Sequence, residues 1–90
     1  MVILPSFLDI GSCEDLHRTL SDALTGLNKP LVIEAGEVER ITTPAIQLIL
    51  ATGLAAEALS QQCTIGHPSE AMERSFAELG LTAELEKRRA

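Results

Sequence analysis

The residues of this chain best suited to chemistry are two cysteines and two histidines, and they recur at one spacing. Cys13-Glu14-Asp15-Leu16-His17 and Cys63-Thr64-Ile65-Gly66-His67 are both Cys-x-x-x-His. On a helix that spacing stacks thiol and imidazole one turn apart, as two zinc ligands require. The second copy falls on a predicted strand, where four residues of rise set its members roughly 13 Å apart, too far to share one ion. No metal is therefore expected, and both cysteines read as reduced thiols of a domain that needs no disulfide. Neither His17 nor His67 lies in a local signature that joins a nucleophile, a base and an orienting acid, so no catalytic residue is assigned. Glu34, Glu37 and Glu39 cluster, but they lack the alternating oxygen ligands and the fixed glycine of a calcium loop. No glycine-rich phosphate loop follows a strand, which leaves no cofactor to assign. What remains is a pair of hydroxyls, Thr42 and Thr43, directly before Pro44.

A hydroxyl followed by proline is a helix start, because the missing proline N–H costs nothing in the first turn. Thr43 is expected at the N-cap and Pro44 at the first helical position, with the helix running to about Gln61. Ala45, Leu48, Ile49, Thr52, Ala55, Ala56 and Leu59 form its core stripe. The other face carries Gln47, Leu50, Leu54, Glu57 and Gln61, and its two leucines look exposed.

The elements around it follow from period and punctuation. Val2 to Leu8 reads as an edge strand because Pro5 removes a ladder donor. Ser12 starts a helix with Leu16, Leu20, Ala23, Leu24 and Leu27 on one face, closed by Gly26, Asn28 and Pro30. Leu31-Val32-Ile33 is a central strand buried on both faces. Glu34 to Arg40 is a connection that Val38 and Ile41 anchor to the core. Cys63 to Gly66 is a third strand. Ser69 caps a helix with Met72, Ser75, Phe76 and Leu79 on one face, ended by Gly80, and a last helix spans Thr82 to Arg88. The order β-α-β-α-β-α over residues 1–90 predicts a single α/β domain, a small parallel or mixed sheet with helices packed on it.

Composition narrows the partners. The net charge is −6 with seven Lys and Arg, the wrong sign for a phosphate backbone, so nucleic acid is not an expected partner. Lys87, Arg88 and Arg89 read as a solvated helix end favoured by the helix dipole. The start of the chain has no basic flank and no small-residue cleavage site, and Thr42 to Ala56, the longest uncharged apolar stretch, is shorter than the roughly 20 residues that span a bilayer. A cytoplasmic protein without direct membrane insertion is expected.

The segment Leu31-Val32-Ile33-Glu34-Ala35-Gly36-Glu37-Val38-Glu39-Arg40-Ile41-Thr42-Thr43 resembles a STAS domain, the module shared by sulphate transporters and anti-sigma factor antagonists. In that family an apolar strand ends in an acid, a valine and an isoleucine follow, and an Asp-Ser or Asp-Thr pair opens the next helix. Glu34, Val38, Ile41 and Thr43 fill those places, while Thr42 stands where the family has its acid. Ile65-Gly66-His67-Pro68-Ser69 and Phe76-Ala77-Glu78-Leu79-Gly80-Leu81 are similar to the family's third strand, its Pro-Ser helix start and its closing Leu-x-Gly-Leu. The resemblance implies a regulatory module, not an enzyme, that docks a GHKL-type kinase, an anti-sigma factor or another signalling protein. By position it implies Thr43, or else Thr42, as phosphate acceptor, and a docking surface of Glu37, Glu39, Thr42, Thr43, Gln47, Leu50 and Leu54. The family also holds constitutive, non-phosphorylated subunits of chemotaxis clusters and of phospholipid-transport ATPase complexes, which the loss of the acid favours.

Overall fold

Pro5 divides the first seven residues of predicted strand into two strands that serve different sheets. In the computed structural model, which describes residues 1–24 and 30–89, β1 is Val2–Ile3 and β2 is Phe7–Leu8. Proline lacks the N–H that a ladder uses, so Pro5 suits the break between the two pairings. β1 pairs in parallel with β3, Leu31–Glu34, and β3 pairs in parallel with β5, Cys63–Gly66, giving the order β1-β3-β5. β2 pairs in parallel with β4, Arg40–Ile41, a short strand that begins at the end of what reads from sequence as a plain connection. The central place of β3 agrees with the sequence. Its burial does not: Leu31 and Ile33 are buried, but Val32 and Glu34 are only half-buried. Val2, Ile33 and Ile65 share a row facing the core, whereas Ile3, across from Glu34 and Gly66, is exposed. One face of this sheet is fully covered and the other partly.

Four α-helices surround the strands among the described residues: α1 Cys13–Ala23, α2 Thr43–Ala58, α3 Glu70–Glu78 and α4 Thr82–Arg88. Before α1, a single 3₁₀ turn covers Ile10–Ser12, and the Asp9 carboxylate accepts from the Ser12 N–H at 3.0 Å. Asp9, not Ser12, thus supplies the side-chain cap at this helix start. Gly26, Leu27 and Asn28, the expected end of that helix, lie outside the described residues. α3 begins as predicted, its Met72 N–H donating to the Ser69 hydroxyl, and ends at Gly80, whose φ of +71° suits a residue without Cβ.

The core is one cluster in which Leu4, Leu8, Leu20, Ile33, Ile46, Ile49, Ile65, Met72, Phe76 and Leu85 are sealed from solvent, with Val38 and Ile41 anchoring the connection as expected. Two polar residues depart from the sequence reading. Helix α2 stops at Ala58, and Ser60 turns with φ of +56°, so Gln61 folds inward and its Nε2 donates to the Ala23 carbonyl at 3.0 Å. Arg88 is not solvated: it is 7% exposed and lies across Gly53 of α2, where any Cβ would overlap the guanidinium. It donates to Glu57 at 2.7 Å, so α4 is tied to α2 through an ion pair.

Candidate functional site

The start of α2 is built by the β2–β4 pair. Thr42 stands at the N-cap with extended backbone, Thr43 at the first helical position and Pro44 at the second, so the helix starts one residue earlier than the spacing predicts. The reason is the β-ladder. Thr42 donates both its N–H and its Oγ1 to the Leu8 carbonyl, each at 3.0 Å, which holds it on the strand side of the boundary. Its hydroxyl is therefore a fastener and makes no cap bond to the helix. The Thr43 side chain is exposed at the mouth of a helix whose first N–H groups have no intrahelical acceptor. A negative group on Thr43 would meet the positive end of the helix dipole.

Helix α2 then carries the other predicted docking residues. Gln47 is exposed, Leu50 is half-buried and Leu54 is 61% exposed. Unlike α1 and α3, α2 is apolar nearly all the way round, with Glu57 as its single charge. A helix of that kind is normally covered on every side. Here Ala45, Ile46, Ile49, Thr52, Gly53 and Ala56 are buried, while Pro44, Gln47, Leu48, Leu50, Ala51 and Leu54 line two hollows. One, toward α4, is lined by Leu50, Leu54, Leu81, Glu84 and Arg88. The other, toward α1, is lined by Cys13, Glu14, His17, Pro44, Gln47, Leu48 and Ala51. Glu37 and Glu39 are exposed on the chain leading into α2. The sequence reading missed Leu81, Glu84, Arg88 and Glu14 as neighbours of this surface, because only the packing of α4 and α1 brings them there.

The groups weighed for other chemistry fall elsewhere. Cys13 and His17 face the α1 hollow, and Cys63 is buried, where desolvation pushes its thiol pKa above the usual range. His67 sits at the end of β5 with φ of +49°, its Nδ1 3.0 Å from the Glu34 carboxylate on an exposed rim. Among the described residues no group of three His, Cys, Asp or Glu side chains suits a metal ion, and no helix is long and apolar enough to cross a membrane.

Around α4 the charges are tightly paired. Glu57 is held below the usual carboxylate range by its hydrogen bond from Arg88 and by the Lys87 charge, and Glu86 by its hydrogen bond from Arg89. Arg89 also reaches Glu73 of α3 at 3.1 Å, and its backbone bridges to Ile65 at the β5 edge.

A family model described as "Mlab, STAS domain" matches residues 2–87. No curated protein and no solved structure gives a match.

Proposed function

This chain belongs to the STAS domain family, and on that premise we propose that it is a non-enzymatic, cytoplasmic regulatory module that docks a signalling protein through the start and outer side of α2. The observation that supports this reading best is the apolar circumference of α2, with Leu54 61% exposed beside Leu50. Soluble chains seldom leave an apolar helix face rimmed by polar residues unless something binds there. Anti-sigma factor antagonists of the family work in this way, and Thr43 is the acceptor by position. A phosphate on Thr43 would favour the helix start and act on the partner's surface, so docking would change while the fold would not.

The replacement of the family's acid by Thr42, whose hydroxyl is engaged with Leu8, favours a second reading. In it the module is a constitutive subunit of a larger assembly, of the chemotaxis or phospholipid-transport ATPase kind, and is never phosphorylated.

One experiment separates these. The chain and its Leu54→Glu variant are used to pull partners from the native cell, with mass spectrometry reading both protein partners and phosphothreonine. Loss of a partner in the variant, at unchanged circular dichroism, supports docking through α2; an identical partner set sinks it. Phosphate on Thr43 selects the switch, and a stable stoichiometric complex without phosphate selects the subunit.

A further inference from the structure

The charges near α2 say what kind of partner it suits. Among the described residues every Lys and Arg except Arg40 is held in an ion pair: Arg18 with Asp15, Arg74 with Glu70, Lys87 and Arg88 with Glu57, Arg89 with Glu73 and Glu86. Of the carboxylates that border the exposed side of α2, Glu57 is shared by Lys87 and Arg88, and four others are in none of these pairs. Glu14 lies across the α1 hollow, Glu84 across the α4 hollow, and Glu37 and Glu39 on the chain leading to Thr42. An apolar strip is thus flanked by Glu14 on the α1 side and by Glu84 on the α4 side, where Arg88 turns its charge to Glu57. A second copy of this chain would set those acids against themselves, and like charges across an interface cost affinity. Anionic lipid or nucleic acid would be repelled in the same way. The complement is an apolar ridge with basic flanks.

Resting on the docking reading above, we infer that the partner presents an amphipathic helix whose apolar ridge seats on Leu50, Leu54 and Leu81 and whose flanking lysines or arginines meet Glu84 on one side and Glu14 on the other. A hollow between two helices accepts a ridge of side chains at i, i+3 or i+4, and i+7. The 16 residues of α2 offer about 24 Å of length for it.

The test uses two synthetic peptides about four turns long, with the same leucine ridge and either lysine or glutamate flanks, titrated into the isotope-labelled full chain by NMR. The lysine-flanked peptide is expected to bind at least about tenfold tighter at low salt. It should shift the amides around Leu54 and Glu84, and weaken as salt is raised. Glu84→Lys and Leu54→Gln, both at exposed positions, should each reduce its affinity several-fold. Equal binding of the glutamate-flanked peptide on the same residues overturns the basic partner while leaving α2 as a docking surface. Binding that ignores both substitutions, shifts that lie away from α2, or no binding by either peptide also overturns the inference; the docking reading itself stands or falls on the pull-down.

Discussion

The hydroxyl of Thr42 and its backbone N–H converge on one acceptor, the Leu8 carbonyl, whereas the Thr43 side chain one residue on is exposed. That difference divides the two candidate acceptors by their cost to the fold. Thr42→Val keeps the shape but removes a part-buried hydrogen bond, which contributes about 1 kcal/mol. In a domain of this size that lowers Tm by about 4–8 °C. Thr43→Ala removes a side chain that the fold does not use, and should stay within about 0.5 kcal/mol of the parent. Thermal denaturation of the two variants at neutral pH reads the contrast, and equal losses would contradict the assigned roles. A variant at Thr43 can therefore report on regulation without a stability artefact, while one at Thr42 cannot.

At the scale of elements, a notch in α2 is one of the contacts that place α4. Arg88 occupies the space over Gly53 and reaches Glu57 beyond it, so a methyl at position 53 must displace the guanidinium. Gly53→Ala alone gains about 1 kcal/mol of helix propensity but gives up the seated Arg88, and is expected to be neutral or destabilising by roughly 1 kcal/mol. With Arg88→Ala already present, the same change should stabilise by about 1 kcal/mol. Urea denaturation of the double-mutant cycle measures this change of sign, and additive effects would break the link. The notch also marks where sequence reading stops. The bounds of β5 and α4 and the capping of α3 were legible because each is set by local punctuation: Gly66-His67-Pro68-Ser69, Gly80 and the residues between. The N-cap shifted from Thr43 to Thr42 because Leu8, far away in the chain, competes for that residue. The strand over Val2–Leu8 split because its halves pair with different partners. Arg88 and Gln61 read as solvated because nothing next to them in sequence announces Gly53 or the Ala23 carbonyl. Of the candidate site, α2 and its leucines were visible from spacing. The acids and Leu81 opposite them came only with the tertiary packing.

For the molecule as a whole, two electrostatic effects of opposite sign meet in the acid range. A net charge of −6 at pH 7 repels itself, and lowering the pH toward the isoelectric point near 4.7 relieves that repulsion. Against it stand the carboxylates paired around α4. Glu57 and Glu86 titrate below their ordinary 4.5 in the folded chain, through the Arg88 and Arg89 hydrogen bonds foremost. A group whose folded pKa is depressed stabilises the fold above its unfolded pKa, and that contribution is lost as pH falls through the folded value. The urea midpoint should therefore hold or rise slightly from pH 7 to about 5, then fall below about 4.5 as these pairs are protonated. Glu57→Gln should lower the midpoint at pH 7 and flatten the acid limb, since the variant has no charge left to lose at that position. A limb as steep in Glu57→Gln as in the parent would mean that the clamp between α4 and α2 does not govern acid stability. In that case the hollow that Leu81 and Glu84 complete would owe its shape to the packing of Leu85 and to the contacts of Arg89 with Glu73 and Ile65.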